Sequence, residues 1–221
     1  MSRRLRKAAT RHRAVAALVV GLAVAPAGCA SHELVRADDM SAAQHRNEAQ
    51  REQAAADKEM ARTQDAGAAP ARSDPQAFDP NEGPHRRAEA AREHARQHES
   101  AAKFLERFED EACAGVPAAS RAACPLLGPL ESLEDVPGGV RVTFADKSRV
   151  KTAIAEMRCH YAYARARHFD EAVGCPLYMK GIEVRPSLDP RAVEIVAHDE
   201  ATTTLIRARA REQATFTRGR R

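Results

Sequence analysis

The chain has 221 residues, 43% of them hydrophobic and only 4% aromatic, with no tryptophan and a formal net charge of +4. Its basicity sits at the front: residues 1–13 carry Arg3, Arg4, Arg6, Lys7, Arg11 and Arg13 and no acidic residue. Setting those six of the 35 basic residues aside leaves 29 against 31 acidic, a net −2, and removes the compositional case for nucleic acid or anionic lipid as a partner.

An uncharged apolar stretch from Ala14 to Ala27 follows the basic segment, and small residues lead into Gly28-Cys29. A basic n-region, a short h-region and a small-residue cleavage site describe an export signal over residues 1–28. The apolar run is shorter than the roughly 20 residues of a membrane-crossing helix. The text Pro26-Ala27-Gly28-Cys29 resembles a bacterial lipobox, with Pro26 in place of the usual leucine. That resemblance implies cleavage before Cys29 and a diacylglycerol on its sulfur. Ala30, where aspartate would favour the inner membrane, points to the outer membrane, facing the periplasm. Arg3-Arg4 resembles a twin-arginine signal, but Arg6 occupies a position where that motif takes an apolar residue.

Residues 29–66 are rich in Ala, Glu, Gln and Arg and hold neither Gly nor Pro after Cys29, which favours helix by propensity. Asp38, Asp39 and Ser41 are capping candidates. Apart from Met40 and Met60 no large apolar side chain lines this helix, so the expectation is a solvated stalk reaching about 40 Å from the anchor. Residues 67–84, with four prolines and two glycines, read as a linker.

The folded domain is expected over 85–213. A helix from about Pro84 to Ala112 carries His94, His98, Ala101, Leu105, Phe108 and Ala112 at alternating spacings of four and three, hence on one stripe. Leu130–Val136 and Val140–Ala145 flank Pro137-Gly138-Gly139, which reads as a hairpin. Asp146 caps a helix over Lys147–His168. One face of it is Val150, Ile154, Met157, Tyr161 and Ala164; the other, of small residues, is Ala155, Cys159, Ala162 and Ala166. Gly181–Arg185 and Arg191–Ala197 alternate as strands, and a last helix runs from about Glu200 to Gln213. A basic disordered tail is expected over 214–221. The order α-ββ-α-ββ-α predicts an α+β fold: a small four-stranded antiparallel sheet with helices on one face, preceded by the stalk.

Cys113, Cys124, Cys159 and Cys175 remain once Cys29 is assigned to lipidation. An even number in an exported chain predicts disulfides. Pairing by proximity gives Cys113–Cys124 and Cys159–Cys175, each adding about 3 kcal/mol in the chain-entropy model, but all three connectivities are open. No C-x-x-C is present, which argues against a thioredoxin-like pair and against C-x-x-C-H haem attachment. A competing reading is a metal site. His94 and His98 at i,i+4 suit chelation from one helix, and Met157, Cys159, His160, His168, Cys175 and Met179 supply soft ligands for Zn or Cu(I). Tyr161, Tyr163 and Tyr178 offer a third, a small-ligand pocket. No phosphate loop, nucleophile elbow or paired-carboxylate motif appears, so catalysis is not expected.

Asp39-Met40-Ser41 with His45, Phe78-Asp79-Pro80, His94 with His98, Cys124-Pro125 with Gly128, Met157-Arg158-Cys159-His160 and Cys175-Pro176-Leu177-Tyr178 with Gly181 together resemble a family of uncharacterised bacterial lipoproteins. The resemblance spans nearly the whole chain after Cys29. It implies a lipid anchor in the membrane and a periplasmic setting with possible envelope protein partners, and brings no activity or ligand with it.

Overall fold

The computed structural model describes residues 35–65, 81–127, 130–170 and 174–218. The expected export signal, the expected lipidation residue Cys29 and most of the expected linker lie outside these residues. Four helices, α1 (Ala42–Asp65), α2 (Glu82–Ala112), α3 (Val150–Ala166) and α4 (Glu200–Arg218), accompany strands β1 (Leu130–Val136), β2 (Gly139–Phe144), β3 (Ile182–Pro186) and β4 (Ala192–Ala197). The α+β expectation holds, with each strand within a residue or two of its sequence position.

The sheet is antiparallel throughout, in the order β1-β2-β4-β3. Two hairpins are joined through their inner strands, so β2 and β3 run parallel with β4 between them. With α3 as the crossover, this is a split β-α-β unit. Strand alternation directs Val140, Val142 and Phe144 of β2, Val193 and Ile195 of β4, and Ile182 and Val184 of β3 into one core. Met157 and Ala153 of α3 and Ile206 and Ala210 of α4 close it from the same side. The opposite face is polar. There Glu194 accepts from Arg141 and Arg185 at 3.0–3.2 Å, and the Arg141 hydrogen bond above all holds its carboxyl below the usual range.

Asp146 does cap the entry to α3. Its side chain accepts from Ser148 N at 2.8 Å, starting a 3-10 turn that runs into the helix. At the far end, the chain leaves α3 through left-handed His168 and Phe169, at φ 56° and 59°. α4 runs to Arg218, five residues beyond the predicted end, so 214–218 is helix rather than disordered tail.

The largest departure is α1. It forms, but as one arm of a helical hairpin rather than as a solvated stalk. Arg46 pairs with Glu106 at 2.5 Å and Glu59 with Arg87 at 2.8 Å, so α1 and α2 run antiparallel. The interface is built from small side chains, Ala56 on α1 and Ala88, Ala95 and Ala102 on α2 among them. Alanine stripes carry little hydrophobic signal in a sequence, yet they let two helices approach closely. The cap is Ser41, not Asp38 or Asp39: Gln44 N donates to Ser41 Oγ while Ser41 N donates to Gln44 Oε1, a reciprocal capping box. Asp38 instead receives Arg165 of α3 at 2.7 Å, which docks the start of α1 on the domain. α2 likewise starts ahead of expectation, taking Glu82, Gly83 and Pro84 from the predicted linker.

Buried in this hairpin, His45 Nδ1 meets His98 Nδ1 at 3.0 Å, and His45 Nε2 lies 3.4 Å from the carbonyl of Ala37. A carbonyl only accepts, so Nε2 of His45 carries its proton and Nδ1 accepts from His98. Burial, helped by the neighbouring His98 and opposed by the Ala37 carbonyl and Asp39, lowers the His45 pKa. Protonating His45 would set N–H against N–H. The unfolded chain takes up this proton below pH ~6.5, whereas the folded chain resists it. Stability is therefore fully present above that pH and declines as pH falls toward the depressed folded value. We expect the melting temperature to drop between pH 7.5 and 5.5, and His45→Gln to flatten that dependence; equal slopes for both proteins would refute the assignment.

Candidate functional site

Three side chains from separate parts of the chain converge beside the core. Cys124 sits between the 3-10 turns Ala118–Ser120 and Pro125–Leu127; His160 lies midway along α3; Cys175 lies on the segment entering β3. Their Sγ and ring-nitrogen atoms all fall within 4.8 Å of one another. Cys175 and His160 are only 2% and 1% exposed, whereas Cys124 is half-buried.

The disulfide framework explains how they meet. Cys113, at the C-cap of α2, is bonded to Cys159 on the small-residue face of α3. Both proximity pairings are thereby corrected: Cys159 ties α3 to α2, not to the segment ahead of β3. One residue on, a turn of about 100° aims His160 away from α2. Its Nδ1 lies 2.8 Å from the carbonyl of Arg121, on the loop that the crosslink draws in. Because that carbonyl can only accept, Nδ1 bears the hydrogen and Nε2 presents a lone pair. Nε2 stands 3.3 Å from Cys175 Sγ, which in turn is 2.7 Å from Cys124 Sγ. Tyr178 packs its ring against the imidazole, with centroids 4.8 Å apart. Arg209 of α4 donates to the carbonyls of Cys175 and Tyr178 at 3.4 and 3.1 Å, fixing that segment and bringing a cation close.

The electrostatics are ordered. Burial lowers the pKa of His160, so the ring is neutral. The contact with Cys175 lowers the Cys124 thiol, while that same contact, then burial, raises Cys175. The first proton to leave comes from the more accessible sulfur. Chemically the trio can form a second disulfide or hold a soft cation.

The other predicted ligands scatter. His94 approaches Glu52 of α1 at 3.8 Å and His98 faces His45, so the i,i+4 pair lies in the hairpin interface, each histidine turned to a different partner on α1. His168 Nε2 lies 3.1 Å from Lys180 Nζ on the surface. Met157 and Met179 are core residues and Cys159 is consumed by its disulfide. The tyrosines take separate partners: Tyr161 tilts against Phe169, Tyr163 lies under Arg167, and Tyr178 covers His160. Of the three, only Tyr161 lines the shallow groove formed with Phe108, Arg158 and Ile182. Sequence reasoning had missed Cys124 as a partner of His160. Its one available signal was that His160 fitted neither face of α3.

No protein-family model, curated protein or solved structure matches this chain.

Proposed function

We propose that the chain is a lipid-anchored protein of the bacterial envelope, held at the periplasmic face of the outer membrane through Cys29, and that its domain acts by binding or as a structural part rather than by catalysis. The observation that carries this reading is the buried Cys113–Cys159 disulfide. A crosslink of this kind belongs to an oxidising compartment, and it stands in a chain whose first 28 residues read as an export signal ending at a lipidated cysteine. Among the described residues no helix is long and apolar enough to cross a membrane.

Cys29→Ser is the test. The variant should leave the membrane fraction for the soluble periplasmic extract and lose incorporation of labelled palmitate, with the domain's melting temperature unchanged. Retention of the variant in the membrane fraction would sink the anchor.

A further inference from the structure

We propose that Cys124, His160 and Cys175 form a three-coordinate site for a thiophilic monovalent cation, Cu(I). The proposal goes beyond the envelope reading, and its measurements do not depend on where the protein resides.

The geometry sets the coordination number. Two sulfurs and one imidazole nitrogen lie within 4.8 Å of one another, and among the described residues no fourth His, Cys, Asp or Glu joins them. Thiolates with one imidazole are soft ligands that favour Cu(I), and a trigonal arrangement needs no fourth donor. Zn(II) would ask for a fourth ligand or a bound water, in a place where Cys175 and His160 are almost wholly covered. His160 is already oriented as ligating histidines are: Nδ1–H donates to the Arg121 carbonyl, which fixes the tautomer and turns the Nε2 lone pair toward the sulfurs.

His160 also separates this reading from a plain second crosslink. Among the described residues, the hydrogen-bond partner of its Nε2 is Cys175 Sγ. Oxidising Cys124 and Cys175 to a disulfide removes both thiol hydrogens and leaves a buried nitrogen acceptor without a donor, a penalty that such groups normally avoid. A cation satisfies all three atoms together. Binding releases two protons, one from each thiol, and the complex of two thiolates, one Cu(I) and a neutral imidazole carries one negative charge. The Arg209 guanidinium, hydrogen-bonded to the carbonyls of Cys175 and Tyr178, lies close enough to offset it. The sulfurs must part from their present 2.7 Å to about 4 Å, the separation set by metal–sulfur bonds of about 2.3 Å. Cys124, on a half-exposed turn, is the residue placed to move.

The experiment uses the full chain with Cys29→Ser, purified without oxygen, its Cys113–Cys159 crosslink verified by mass mapping. Cu(I) is titrated against a bicinchoninate competitor. One Cu(I) per chain is expected, with X-ray absorption showing two sulfurs and one nitrogen. Cys124→Ser and Cys175→Ser should each weaken retention about 100-fold or more, and His160→Gln at least about 10-fold. Far-UV circular dichroism and the intact Cys113–Cys159 bond verify that each variant folds. Three results would overturn the proposal: retention indifferent to these variants, zinc bound as firmly as Cu(I) at the same site, or Cys124 and Cys175 fully disulfide-bonded in protein acid-trapped from growing cells.

Discussion

Removing the Cys113–Cys159 crosslink with paired alanine substitutions should lower the unfolding free energy by about 4 kcal/mol. The bond closes a loop across a sequence separation of 46 residues, and in the chain-entropy model the cost of opening it grows with the logarithm of loop length. The proximity pairing of Cys113 with Cys124 would have contributed only about 3 kcal/mol. The difference in topology also has a local consequence. Without the bond, α2 and its partner α1 stay attached to α3 through the small buried cluster of Ala42, Leu105 and Ala166 and through the polar contacts of Arg167 with Glu109, Arg165 with Asp38, and Arg165 over the rings of Phe104 and Phe108. The cluster is only three side chains wide, and the polar contacts, reached by solvent, are each worth little. Urea unfolding followed by circular dichroism should therefore show a midpoint about 2 M lower, with the helical hairpin losing protection from hydrogen exchange ahead of the sheet. A loss below about 1 kcal/mol would mean that packing, not the crosslink, holds α2 to α3.

Gly139→Ala should also be damaging, at about 3 kcal/mol or more. A Cβ at this position would stand 1.9 Å from the carbonyl oxygen of Ile195 and 2.9 Å from the Val196 Cα, all backbone atoms of the central strand β4. No side chain can rotate away to relieve that overlap. The pairing of Gly139 with Val196 must open, and the neighbouring bond from Ala197 N to the Gly138 carbonyl, 2.8 Å long, goes with it. Thr203 of α4 donates to the same carbonyl at 3.0 Å, so the disturbance passes from the sheet to the helix above it. Gly115 is the useful contrast. A Cβ there meets nothing within 4 Å, and the only penalty of Gly115→Ala is its left-handed φ of 81°, about 1–2 kcal/mol. Thermal melts of the two variants should rank Gly139→Ala well below Gly115→Ala. The opposite ranking would show that β2 and β4 can separate at their ends without loss.

Both predictions depend on contacts between distant segments, and that is where the sequence stopped being informative. The strands were readable because alternation has a period of two: Val140, Val142 and Phe144 against Arg141 and Thr143 admit one side in and one side out. The β1–β2 turn was readable because Pro137-Gly138-Gly139 has few other uses, and Gly138 indeed adopts a φ of 80°. Asp146 announced the start of α3 by local chemistry alone. The α1–α2 hairpin was not readable. Its interface is alanine and two histidines, residues equally at home on a solvated helix, and only the facing helix distinguishes the two cases. The spacing of His94 and His98 suggested a chelate for the same reason: helical periodicity places side chains on a face but does not say what stands opposite.

By itself, then, the sequence determined the order α-ββ-α-ββ-α and the antiparallel pairing within each hairpin. Both follow from neighbours along the chain. Only the tertiary structure decided that Cys113 bonds to Cys159, that His45 meets His98, and that His160 turns toward Cys124 and Cys175. Pairing across 46 to 53 residues depends on how helices cross and which faces they bury. A pattern of residues constrains those faces without selecting their partners, so one count of cysteines and histidines was compatible with several sites until the chain was folded.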